Sequence, residues 1–197
     1  AITPINNIPT LPTPVTALAY TENDGAVTID TGLTVTDLDD TNLVSATIQV
    51  TGNYVNGEDV LAFTNQLGIT GSFNATNATL TLTGTTSVAN YQTALQSVTY
   101  TNTSDDPSNA PRTVTFIATD ATGGSSIAVT RDISVTPVND APNLTATVTA
   151  LAYTENDGAV TIDTGLTVTD LDDTNLVFAT IQVTGNYVNS EDVLAFT

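Results

Sequence analysis

"RTVTFIATDATGGSSIAVTRDISVTPV", residues 112–138, decides the fold. Two runs of Thr, Val, Ile and Phe, residue types that suit a pleated and half-buried surface, flank the turn signal Gly123-Gly124. Outward from this pair the same rhythm recurs in "AVTIDTGLTVTD" (26–37), "LVSATIQVTG" (43–52), "ATLTLTG" (78–84) and "SVTYTNT" (97–103). Asn23-Asp24-Gly25 and Asp105-Asp106-Pro107 mark further turns. Strand-like runs at a spacing of roughly 8 to 15 residues are the pattern of an all-β sandwich. One stretch breaks it. In "SVANYQTALQSV" (87–98), Ser87 is a capping residue, and Val88, Tyr91 and Leu95 fall at helical intervals, which predicts one short helical segment with Tyr91 and Leu95 in the core.

Composition agrees. Thr makes up roughly a fifth of the 197 residues, and a hydrophobic content of 40% is enough to bury a core. Arg112 and Arg131 are the only basic residues against 21 acidic ones, a formal charge of -19. The phosphate attraction that underlies nucleic-acid binding is therefore missing, as is attraction to anionic membranes, whereas cations are drawn in. The sequence has no Cys, His, Met, Trp or Lys. That excludes disulfides, zinc sites of the usual ligand set, Ser-His and Cys-His catalysis, and Lys-based cross-links. No apolar run is long enough to insert into a membrane.

The strongest signal is a repeat. The 49 residues from Thr16 return from Thr149 with two changes, Ser45 to Phe178 and Gly57 to Ser190, at a period of 133. Upstream, identity falls to 6 of the first 15 positions, although "ITPINNIP" still lies opposite "VTPVNDAP". The expected organisation is a Pro-rich linker over residues 1–15, a complete module over 16–136, a linker over 137–148, and over 149–197 the first part of a second, near-identical module. Such a part cannot close a sandwich alone. Its missing strands come either from a longer tandem array or from an identical neighbouring subunit by strand complementation.

The carboxylates cluster. Asp37, Asp39 and Asp40 fall within four residues, and Asp170, Asp172 and Asp173 repeat them. Two Asp at a spacing of two on an extended chain point the same way. At about 5 Å and an effective dielectric near 20, each like-charged pair costs roughly 3 kcal/mol, which a cation reverses. With oxygen ligands only, Ca²⁺ or Mg²⁺ is selected, and an irregular set of loop carboxylates and carbonyls suits Ca²⁺. The competing reading of the triplet is a solvated acidic turn.

Proline-flanked "VNDAP" (138–142), "YTENDGAV" (20–27) and "TVTDLDDTNL" (34–43), with "FIATDATGGSSIAVTRDISV" (116–135) closing a module, together resemble the cadherin-like repeats of large bacterial surface and secreted proteins of adhesin or RTX type. The resemblance covers essentially the whole chain. It implies cadherin-like or immunoglobulin-like antiparallel β-sandwich modules in tandem, outside the cell or on a bacterial surface. It also implies Ca²⁺ at the joint between modules. Asn139-Asp140 matches the family's linker, Glu22 and Glu155 its early Glu, and Asp37-X-Asp39 and Asp170-X-Asp172 its Asp pair. Asp105 or Asp106 is the approximate counterpart of its Asp-Arg-Glu element, and Asp120 falls where the family carries an Asp at a strand end. Carried over, one site draws on Glu22 and Asp105 or Asp106 from the first module, Asn139 and Asp140 from the linker, and Asp170 and Asp172 from the second. Val138 departs from the linker's first Asp, and the upstream joint reads Asn6-Asn7, which makes it the weaker candidate.

Three function classes stay open. The leading one is a structural module of an extracellular adhesin or surface fibre, whose partners are neighbouring modules of the same chain. The others are a glycan- or protein-binding module, for which Tyr54 and Tyr187 are the candidate aromatics, and a filament subunit sharing strands between chains. An enzyme is not expected, since carboxylate pairs in a near-identical tandem copy are a poor way to build one active site. Asn74, Asn77, Asn102 and Asn143 begin Asn-X-Ser/Thr triplets that arise by chance in a Thr-rich chain.

Overall fold

Alternation along the strands builds the fold, and it is clearest in the segment quoted first, where residues 112, 114, 116, 118 and 120 are all buried and those between are half-exposed. The computed structural model describes residues 5–12 and 16–196. Residues 1–4 and 13–15 of the Pro-rich linker and Thr197 at the end of the repeat lie outside the described residues. The chain divides into two units, residues 1–139 and residues 140–197.

In the first unit the elements run β1 (Leu18–Thr21), β2 (Val27–Thr28), β3 (Asn42–Gly52), β4 (Asp59–Ala62), β5 (Thr70–Asn74), β6 (Thr79–Ser87), α1 (Val88–Gln96), β7 (Thr99–Asn102), β8 (Arg112–Asp120) and β9 (Val129–Thr136). A six-stranded sheet has the order β1-β9-β8-β3-β6-β5, and a three-stranded sheet the order β2-β7-β4. Every pairing is antiparallel except β1 with β9, which run parallel from Leu18↔Ile133 to Thr21↔Thr136. The two sheets form a sandwich whose core includes Tyr20, Leu43, Ile48, Leu61, Leu82, Tyr100, Phe116 and Ile133, all at most 2% exposed.

Five of the runs read from sequence form strands, β3, β6, β7, β8 and β9, and α1 forms where expected. Ser87 caps it by accepting the Asn90 N–H, and Tyr91 and Leu95 are buried. Burial pushes the Tyr91 hydroxyl up to about 12, and its O–H donates to the Gly84 carbonyl at 2.7 Å. The run 26–37 differs. Only Val27–Thr28 is strand there, because the Asp30 side chain accepts the Gly32 N–H and turns the chain away from the ladder. Gly84 sits at φ +140° with the Gly68 carbonyl oxygen 2.2 Å from where a Cβ would be, so the close approach of β6 to the loop before β5 needs glycine.

A polar knot lies inside the sandwich. Arg112 and Asp59 are both buried, with Nε 3.2 Å from each carboxylate oxygen. Asp59 also accepts from Tyr100 Oη (2.5 Å), Asn102 Nδ2 (2.8 Å) and the Val55 N–H (2.7 Å). Arg112 Nη1 donates to the carbonyls of Ser108 and Ala110. Tyr20 stacks edge-on against Tyr100, with centroids 5.1 Å apart, and its hydroxyl bridges the Asn102 backbone. Burial and the Asp59 carboxylate hold the Tyr100 hydroxyl well above the ordinary phenol range. Asn102 is thus a core residue and no glycan acceptor.

In the second unit β10 (Asn143–Thr145) pairs antiparallel with β11 (Thr167–Thr169). This ladder is the counterpart, one period on, of the Thr10↔Thr36 bridge in the first unit.

Candidate metal centre

The acidic loop begins where Thr36 leaves its bridge to Thr10. Asp37 then folds the chain back on itself, its Oδ1 accepting the N–H groups of Asp39 (3.2 Å) and Asp40 (2.9 Å). The triplet converges through this turn, not through the extended spacing expected from sequence. One carboxylate oxygen each from Asp37, Asp39 and Asp40 lies within 4.8 Å of the others. Asp37 Oδ2 is buried and has no hydrogen-bond partner.

The upstream linker straps this loop to the end of β8. The Asn7 N–H donates to both oxygens of Asp39 at 3.1 Å, and Asn6 Nδ2 donates to Asp120 Oδ2 at 2.9 Å. Thr122 Oγ1 lies 2.5 Å from Asn6 Oδ1, 2.9 Å from Asp120 Oδ1 and 3.3 Å from Asp40 Oδ2. Asp120 is fully buried because it keeps the inward phase of β8. Burial pushes its carboxyl up, but the hydrogen bonds from Asn6, Gly124 and Thr122 outweigh this and hold it below its ordinary value.

A second acidic group of the first unit follows β1. Glu22 is buried, its N–H donates to the Thr136 carbonyl at 2.9 Å, and its Oε2 accepts the Val138 N–H at 2.8 Å. Of the Asp105-Asp106 pair, Asp105 is the one whose carboxylate comes within 4.8 Å of that of Glu22. Asp106 is exposed, its N–H donating to Ser104 Oγ. Asn139 closes the first unit.

The second unit repeats the strap. Asp170 Oδ1 accepts the N–H groups of Asp172 (3.0 Å) and Asp173 (2.8 Å), and the Asp140 N–H donates to Asp172 Oδ2. These are the contacts of Asp37, Asp39, Asp40 and Asn7, one period on. Asp172 Oδ1 is again a buried oxygen with no hydrogen-bond partner. Glu155, counterpart of Glu22, lies in an exposed turn.

These loops fit a hard cation. The donors are all oxygen, backbone N–H groups hold one oxygen of each key carboxylate in place, and buried oxygens are left over on Asp37 and Asp172. Acidic clusters able to hold a metal ion are therefore present, with nothing in the donor set that separates Ca²⁺ from other hard cations. No family model matches the chain. Over 96 residues it is 38% identical to Halomucin of Haloquadratum walsbyi. The match takes in 46% of this chain and 1% of Halomucin, so the chain spans about one hundredth of that relative's length. Halomucin is thus a very long protein, and the likeness is to a small section of it.

Thr122 and its Asp40 contact have no signal in the sequence, whereas Asn6, expected only as part of the weaker upstream joint, occupies the position of Asn139 one period earlier. Tyr54 is not the free aromatic that a ligand-binding loop would offer. It packs on the core, and its hydroxyl donates to the Ala75 carbonyl at 2.5 Å. Tyr187 is exposed.

Proposed function

We propose that this chain is a section of an extracellular, cell-surface structural protein, in which cadherin-like modules are rigidified by Ca²⁺ bound where linker meets module. The observation that carries this reading is the strap found twice, Asn7 on Asp39 and Asp140 on Asp172, each beside an acidic turn that leaves a carboxylate oxygen buried and unbonded. Backbone geometry of this kind fixes a linker to carboxylates that repel one another, and a cation between them turns repulsion into a clamp. In the second unit Asp140, Asp170 and Asp172 are the ligands, and in the first unit Asp37, Asp39, Asp40 and Asp120, with Glu22 and Asp105 as a further acidic pair. The similarity to Halomucin, a mucin by its name, supports placement at the cell surface. The chain catalyses no reaction in this reading, and its partners are the neighbouring modules.

The test is thermal unfolding of the chain as Ca²⁺ is titrated against a chelator. At a hundredfold excess over Kd, binding adds about 2.7 kcal/mol, and Asp39→Asn and Asp172→Asn remove it. A melting temperature that ignores both calcium and chelator refutes the reading.

A further inference from the structure

The chain contains one Asn-Gly pair, Asn56-Gly57, and the second copy replaces it with Asn189-Ser190, one of only two differences in the repeat. Both turns have the same construction. The Val55 carbonyl accepts the N–H groups of Glu58 and Asp59, as that of Val188 accepts those of Glu191 and Asp192. Val55 N–H and Val188 N–H donate to Asp59 and Asp192 at 2.7 Å each. Tyr54 Oη donates to Asn56 Oδ1 at 3.2 Å, and Tyr187 Oη to Asn189 Oδ1 at 3.3 Å. Gly57 has φ +92° and Ser190 φ +70°. Asn56 and Gly57 are exposed, and among the described residues nothing accepts the Gly57 N–H.

We propose that Asn56 is a site of spontaneous covalent modification, deamidating through Gly57 faster than Asn189 does through Ser190. The Gly57 backbone nitrogen attacks Asn56 Cγ and loses its proton to solvent. The Cγ–Nδ2 bond breaks, and ammonia leaves with a proton from water. The resulting succinimide is opened by water at either carbonyl, giving aspartate or isoaspartate, and no oxidant or reductant is needed. Glycine lacks the Cβ that hinders approach of the nitrogen and lets the backbone reach the ring geometry, whereas Ser190 hinders both. The product adds a carboxylate beside Glu58 and Asp59, and isoaspartate lengthens the turn whose Val55 N–H holds the buried Asp59.

The test is incubation of the folded chain at mildly alkaline pH, followed by proteolysis and mass mapping. The two turns yield peptides distinguishable by Gly57 against Ser190. Asn56 is expected to convert about tenfold faster than Asn189, the difference resting on the missing Cβ. Equal rates, or no conversion at Asn56, overturn the proposal. Gly57→Ser brings Asn56 down to the rate of Asn189, and Ser190→Gly raises Asn189. An unchanged Asn56 rate in Gly57→Ser also overturns it. A side chain at the Gly57 φ of +92° strains the turn, although a Cβ there meets nothing within 4 Å and Ser190 holds φ +70° in the same turn, so circular dichroism of Gly57→Ser checks its fold and Ser190→Gly, which relieves strain, tests the proposal independently.

Discussion

Replacing Arg112 by Met leaves the Asp59 carboxylate buried inside the sandwich without its counter-charge. Three donors remain on it, from Tyr100, Asn102 and Val55. The carbonyls of Ser108 and Ala110 also lose the donor that pins their loop. At the 3.2 Å separation seen here, an effective dielectric of 20 gives an attraction of about 5 kcal/mol. Part of it is recovered because the guanidinium no longer has to be desolvated, so a net loss of about 4 kcal/mol is expected. For a unit of this size that lowers the melting temperature by roughly 15 °C. With no Trp in the chain, melting is followed by the fluorescence of its six tyrosines, two of which, Tyr20 and Tyr100, pair at the knot. Adding Asp59→Asn to Arg112→Met should halve the loss to about 2 kcal/mol, because the amide oxygen still accepts from Tyr100 and Asn102 while the unpaired charge is gone. A double variant less stable than Arg112→Met, or a single variant within about 1 kcal/mol of the parent, refutes the reasoning.

Gly84→Ala pushes a Cβ into the Gly68 carbonyl at a φ that L-residues avoid, and should cost about 3 kcal/mol in urea unfolding. Ser87→Ala removes the cap of α1 and should cost about 1 kcal/mol, whereas Ser87→Asp should cost little. Asp120 has a carboxyl held below its ordinary value of 3.8, so its stabilisation is complete above that value and is lost as pH falls through the lower folded value. Asp120→Asn should therefore melt lower than the parent at neutral pH, and the difference should shrink at acid pH.

The strands legible in the sequence were those lying in runs of Thr, Val, Ile and aromatic residues, β3, β6, β7, β8 and β9. β1, β4 and β5 are four or five residues long and mix in Ala, Asp, Gly or Asn, so they show neither the composition nor a period. The acidic turn was legible as a cluster of charge, but its geometry was not. Convergence of Asp37, Asp39 and Asp40 comes from side-chain acceptors capturing local N–H groups, a competition with extended backbone that composition does not decide. The Arg112–Asp59 knot left a trace that was not followed, a charged residue in the inward phase of β8, two residues before buried Val114. Asp120 carries the same signature at the other end of that strand.

The parallel pairing of β1 with β9 has a mechanical meaning. Tension applied at the two ends of the first unit pulls Leu18 backward along β1 and Thr136 forward along β9, so the two strands are drawn past each other in shear. The ladder from Leu18↔Ile133 to Thr21↔Thr136, extended by the Glu22 N–H on the Thr136 carbonyl and the Val138 N–H on Glu22, then resists as one lap joint. Its bonds must fail together, where a seam peeled from one end would open bond by bond. Survival under force is governed by the rate of that single rupture, so the seam can keep the unit intact in flow whatever its equilibrium stability.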